Sequence, residues 1–187
     1  MILNLKNDIL ELVDRIKDHK IEIYNEASIQ YEFAILLRER YPKLKIQLER
    51  NISYFGFDKN KFVKKEIDII IFNEDKSKKT AIEIKFPTNG QYPEQMFSFC
   101  KDIKFLEQLK SNGFSKNVFL AFANDHNFWN SNLDEGTIYQ MFRNQKKIMG
   151  HVQKPTGKKD DYVEIQGEYD IDWISINSEI KFFEIQI

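Results

Sequence analysis

Residues 66–87 read EIDIIIFNEDKSKKTAIEIKFP, and the rest of the chain is organised around them. The pattern predicts two β-strands, Glu66 to Phe72 and Thr80 to Phe86. The turn between them, Asn73 to Lys79, contains no apolar residue. Side chains alternate along a strand. Glu66, Asp68 and Ile70 therefore share one face, and Ile67, Ile69 and Ile71 the other. On the second strand Ala81, Glu83 and Lys85 project together, opposite Thr80, Ile82, Ile84 and Phe86. Pairing as a hairpin brings Asp68 beside Glu83 and Lys85, which places two carboxylates and an ammonium on one patch backed by isoleucines.

Two carboxylates can hold a hard cation such as Mg²⁺ through oxygen ligands. Such an ion neutralises phosphodiester charge and activates a water, while an ammonium stabilises developing charge or orients that water. The same residues also suit the solvent face of a half-buried sheet, with Lys85 paired to a carboxylate across the strands.

Outward from the hairpin, Leu5 to Asp18 reads as a helix with Leu5, Ile9, Leu12, Val13 and Ile16 on one stripe. Glu26 to Tyr41 is a second helix, capped by Asn25 or Ser28 and followed by Pro42, with Ile29, Phe33, Leu36 and Leu37 as its buried stripe. Glu32 lies at the edge of that stripe. Leu44 to Phe57 predicts a strand. Pro93 opens a helix that runs to about Lys110, with Gly113 beyond it. Asn117 to Ala123 is a continuous apolar run, as expected of a strand buried on both faces, and the strand–helix–strand unit implies a parallel crossover. The order is helix, three strands, helix, strand, preceded by one extra helix. Thr137 to Met149 reads as a further helix, and Tyr169 to Ile176 with Lys181 to Ile187 as a closing hairpin.

Asp68, followed after fourteen residues by Glu83-Ile84-Lys85, resembles the motif of the PD-(D/E)XK nuclease superfamily. The resemblance covers eighteen residues and departs from the pattern at Ile67, where the family often has proline. It implies an α/β fold with a restriction-endonuclease-like αβββαβ core: a mixed central sheet flanked by helices, here with an extra N-terminal helix and a C-terminal β-hairpin. It implies Mg²⁺ or Mn²⁺ on Asp68 and Glu83, with Lys85 assisting the water. Two further positions match supporting roles in the family, Glu32 as the glutamate of an early helix and Gln95 as a glutamine just after the ExK strand. The implied activity is hydrolysis of DNA. Assembly as a homodimer is an open alternative, and no membrane partner is expected.

The composition fits one domain of 187 residues with 42% hydrophobic and 30% charged content. Net charge is −1, so nucleic-acid binding is not written in the overall balance, and basic residues would have to gather locally. Arg143, Lys146, Lys147, Lys154, Lys158 and Lys159 form the densest basic stretch, and Lys146, Lys147, Lys154 and Lys158 are the candidate nucleic-acid contacts. The acidic run from Asp160 to Asp172 nearly cancels that stretch. A single cysteine, Cys100, excludes an internal disulfide and lies on a core stripe. The start of the chain lacks the apolar run of a signal peptide, which favours a cytoplasmic location. Two other readings stay open: a nuclease-like fold that binds or scaffolds without catalysis, and an interaction protein whose hairpin charges only face solvent.

Overall fold

The computed structural model describes residues 3–88, 90–130, 136–157 and 161–187. Its elements are α1 (Leu5–Lys17), α2 (Glu26–Arg40), β1 (Lys45–Asn51), β2 (Glu66–Phe72), β3 (Lys79–Lys85), α3 (Tyr92–Ser111), β4 (Val118–Ala123), β5 (Lys147–Gln153), β6 (Tyr162–Asp170), β7 (Ile174–Ser175) and β8 (Lys181–Gln186). The fold is mixed α/β. Six strands form one sheet in the order β1-β2-β3-β4-β8-β7, and β5 pairs with β6 in a separate ribbon. Among the described residues only β3–β4 is parallel, with α3 as the crossover, and the other pairings are antiparallel.

Two apolar cores lie on opposite faces of the six-stranded sheet. On one face α1 and α2 pack Leu5, Ile9, Leu12, Ile29, Phe33 and Leu37 against Ile69, Ile71, Ile82, Ile84, Leu120 and Phe122. On the other, α3 and the β5–β6 ribbon cover Ala81, Phe119, Ala121 and Phe183. The apolar side chains of α3 are buried nearly all round, Cys100 included, because the helix lies between the sheet and the ribbon. Burial pushes the Cys100 thiol up, which makes it inert. Each fully buried Phe, Ile or Leu stabilises the fold by about 1.5–3 kcal/mol. Among the described residues no helix is long and apolar enough to cross a membrane.

Three predicted elements differ from the structure. The strand predicted to continue to Phe57 ends at Asn51, whose side chain accepts the Ser53 N–H at 3.1 Å and starts a 3-10 turn over Ile52–Phe55. The helix expected over Thr137 to Met149 is only a π-helical turn at Gln140–Gln145. Lys146 then takes a left-handed conformation (φ 53°), and the chain leaves as β5. The strand expected from Tyr169 to Ile176 is split: Tyr169 and Asp170 end β6, while β7 pairs with β8 across Asn177 and Ser178.

The ribbon is tied to α3 by one buried carboxylate. Glu107 Oε1 accepts the N–H of Gln166 (2.9 Å), the N–H of Gly167 (2.7 Å) and the Tyr169 hydroxyl (3.1 Å). A Cβ at 167 would stand 2.4 Å from the Tyr169 ring, so any other residue there would push that ring from its place against Glu107.

Candidate active site

The hairpin opens at one end, and the functional side chains gather there. β2 and β3 pair from Phe72–Lys79 as far as Ile69–Ile82. Beyond that pair, side chains take over the ladder. Asp68 Oδ2 accepts the N–H of Ile84 at 2.8 Å, and Glu83 Oε1 accepts the N–H of Asp68 at 3.4 Å. Both carboxylates are thus held by the backbone and are almost fully buried, Asp68 at 2% and Glu83 at 0% exposure.

Their remaining oxygens meet Lys64, which lies in the segment before β2. Its Nζ is 2.8 Å from Asp68 Oδ1, closer still to Glu83 Oε2, and 3.7 Å from Asp102 Oδ1 on α3. Lys85, the last residue of β3, still pairs with Ala121 of β4 but lies past the β2–β3 ladder, where α2 and α3 approach from opposite faces. It therefore reaches both of them. Its Nζ is 2.9 Å from Asp102 Oδ2 and 3.4 Å from each Glu26 oxygen. The Asp102 contact is an ion pair without the angle of a hydrogen bond, and Asp102 Oδ2 accepts no hydrogen bond from any described residue.

Glu26 is placed by the start of α2. Asn25 Oδ1 accepts the Ser28 N–H at 2.8 Å while Ser28 Oγ accepts the Asn25 N–H at 3.2 Å, a reciprocal cap. Glu26 is the first residue after that cap. The helix carboxylate of the cluster is therefore Glu26, not Glu32. Six residues further on, Glu32 is displaced by about 9 Å along the axis and roughly 120° around it, and it makes no hydrogen bond or ion pair to the cluster among the described residues. Gln95 lies seven residues before Asp102, on the same side of α3 and two turns nearer its start.

Four carboxylates face two ammonium groups, and three of the carboxylates, Asp68, Glu83 and Asp102, are almost fully buried. The titration behaviour follows from this. Burial, then the neighbouring Asp68 charge, pushes Glu83 well above the ordinary carboxylate range. Burial also raises Glu26, partly opposed by Lys85. For Lys64 burial works against the charged form, but Glu83, Asp102 and Asp68 together outweigh it and raise its pKa. Lys85 is raised in the same way, burial being outweighed by Asp102 and Glu26. Both lysines remain ammonium ions.

Among the described residues, no three His, Cys, Asp or Glu side chains are arranged to hold a metal ion. Asp68 and Glu83 nevertheless offer hard oxygen donors of the kind Mg²⁺ and Mn²⁺ take, and a cation, the Lys64 ammonium, already lies between them. The two oxygens that the backbone does not hold, Asp68 Oδ1 and Glu83 Oε2, both face that ammonium.

The basic stretch is engaged elsewhere. Lys147 pairs with Glu168 and, at 3.6 Å, with Asp170, while Lys154 pairs with Asp161 at 3.3 Å. Lys147 opens β5 and Lys154 follows its end, and their partners lie on or just before β6, so these charges face each other across the ribbon. Lys146 closes the π-helical turn, and Lys158 lies outside the described residues.

Sequence reasoning missed Glu26, Asp102 and Lys64. Asp102 carried a signal, because it stands three residues after Phe99 and three before Phe105, on an otherwise apolar face. Lys64, in an irregular segment, carried none. No protein-family model, curated protein or solved structure matches this chain.

Proposed function

We propose that the chain is a divalent-metal-dependent phosphodiesterase acting on DNA, built on a restriction-endonuclease-like core and similar in its site to the PD-(D/E)XK nucleases. One observation carries this reading: Asp68 and Glu83 converge on a single cation at the open end of the hairpin, with Lys85 held beside them by Asp102 and Glu26. The location adds support. β3 has an antiparallel neighbour on one side and a parallel one on the other, and ligands in α/β sheets collect at the carboxyl ends of strands where the direction of connection changes.

Asp68 and Glu83 would hold the metal ion. When bound, that ion supplies charge neutralisation at the phosphodiester and a water of lowered pKa. The chain contributes position and charge. Lys85 is fixed between carboxylates of two helices, 12% of its side chain exposed, and its ammonium donates to the attacking water or to the developing phosphorane charge. Glu26 and Asp102 act through Lys85 as positioning residues.

A second reading has its own observation. Lys64 fills the space between the two carboxylates, which favours a nuclease-like fold that binds or scaffolds without turning over. Mn²⁺ calorimetry on the wild type and on the Asp68→Ala/Glu83→Ala double variant separates the two. Binding that disappears in the double variant supports the metal site and licenses a screen for DNA cleavage. A wild type that binds no Mn²⁺ at millimolar concentration favours the second reading.

A further inference from the structure

We propose that Lys64 is a tethered cation that holds the place of the divalent ion in the metal-free protein and competes with it for Asp68 and Glu83. The inference rests on the metal-dependent reading above and adds a control to that site. Nothing in the hairpin motif requires a lysine at this position, since it comes from a separate segment. Its ammonium makes two of its three carboxylate contacts with the two residues assigned to the metal, one at 2.8 Å and one shorter.

The geometry allows exchange. The Asp68 and Glu83 side chains are 3% and 0% exposed, whereas the Lys64 side chain is 25% exposed and so lies on the solvent side of the pair. The backbone around Lys64 is pinned on two sides. The Val63 N–H donates to Gln108 Oε1 at 2.9 Å, Gln108 Nε2 donates to the Lys61 carbonyl at 3.2 Å, and the Ile52 N–H donates to the Lys65 carbonyl at 2.9 Å. Displacement is therefore a rotation of a long, flexible side chain with its anchor fixed, not a loop movement. Charge favours the exchange, because a divalent ion sets two positive charges where one stands, in a cluster whose carboxylates outnumber its ammonium groups.

The same contacts explain what Lys64 does before metal arrives. Two carboxylates this buried need a positive charge set against them. Lys64 supplies that charge from within the chain, so the metal-free fold stays closed around its site. The consequence is a trade: affinity for the ion is lowered by the tethered competitor in return for a stable empty state.

The test compares wild type, Lys64→Met and Asp68→Asn/Glu83→Gln by calorimetry with Mn²⁺, together with thermal unfolding in chelator and in Mn²⁺. Lys64→Met is expected to bind Mn²⁺ at least about tenfold more tightly than wild type, to melt lower in chelator, and to gain more from Mn²⁺. Binding by Lys64→Met with none by wild type also supports the competition. Equal or weaker binding by a folded Lys64→Met, with wild-type binding lost in Asp68→Asn/Glu83→Gln, overturns the competition and leaves the metal site standing. No binding by wild type or Lys64→Met overturns both. Should Lys64→Met not fold, the wild type decides by amine acetylation read by mass spectrometry. Mn²⁺ is expected to speed labelling at Lys64 relative to Lys85, and an unchanged ratio overturns the proposal.

Discussion

Asp68 Oδ2 stands 2.8 Å from the backbone N–H of Ile84, in the place that a strand carbonyl would occupy if the hairpin continued. The side chain therefore has a backbone duty as well as its proposed metal duty, and the choice of variant matters. Asp68→Ala leaves a buried N–H without a partner and is expected to cost about 1–3 kcal/mol. Asp68→Asn keeps an oxygen for that N–H and removes the charge. It is expected to unfold nearer the wild-type midpoint while losing Mn²⁺ binding and cutting metal-dependent cleavage by about 10²-fold or more. Urea titration and calorimetry on both variants check this.

Glu26 and Glu32 give a matched pair on one helix. Glu26→Gln removes a carboxylate that holds Lys85, and is expected to lower cleavage by about tenfold with little change in Mn²⁺ affinity. Glu32→Gln is expected to leave both unchanged. A steady-state comparison of the two variants, with calorimetry alongside, tests whether the helix contributes through Lys85.

The excess of carboxylates predicts an asymmetry between charge deletions. Lys85→Met removes the nearer ammonium from Asp102, leaving Lys64 at 3.7 Å, and the ammonium beside the partly exposed Glu26, and is expected to destabilise by about 3 kcal/mol, the low end for breaking a buried pair. Asp102→Asn removes one negative charge from a site that has too many, and is expected to cost less than half as much. Denaturant midpoints of the two variants decide, and equal losses would count against the charge argument.

Glu107 predicts a local effect on the far side of α3. Glu107→Ala releases the amides of Gln166 and Gly167 together, at a cost of about 3 kcal/mol. Glu107→Gln keeps one accepting oxygen and is expected to be milder. Hydrogen exchange should speed at both amides in Glu107→Ala, while the amides of β3 and β4 keep their protection.

Tyr169 predicts a pH dependence. Burial, then the neighbouring Glu107 carboxylate, raises its phenol above the usual value of 10.0. The folded protein therefore keeps this proton at a pH where the unfolded chain has lost it. The stability from this group is full below about pH 10 and falls as pH rises toward the folded value. Tyr169→Phe is expected to be less stable by about 1 kcal/mol near neutral pH and to show a flatter alkaline decline. A series of urea midpoints on both proteins reads the difference.

Much of the fold is legible in the sequence because its strongest elements carry one clear period. The stripes of α1 and α2, the alternation of β2 and β3, and the unbroken apolar run of β4 all sit in the structure close to where the pattern places them. The β5–β6 ribbon is different. Ile138, Met141 and Phe142 mimic a helical stripe, while the strand alternation of Ile148 and Val152 is interrupted by a bulge at Met149–Gly150. For the site, adjacency of Asp68 to Glu83 and Lys85 follows from hairpin pairing. What Asp102, Glu26 and Lys64 add depends on how helices and an irregular segment pack over the strand end, and no local period encodes that.

The span of the Glu26–Lys85 pair has a kinetic consequence. Those residues are 59 apart in sequence, and their contact needs α2 docked at the end of β3. Contacts of that range close late, because the entropy of joining distant segments must be met before they give anything back. The charged cluster is thus an end product of folding, and a chain interrupted before α2 docks carries the same residues without the site they make.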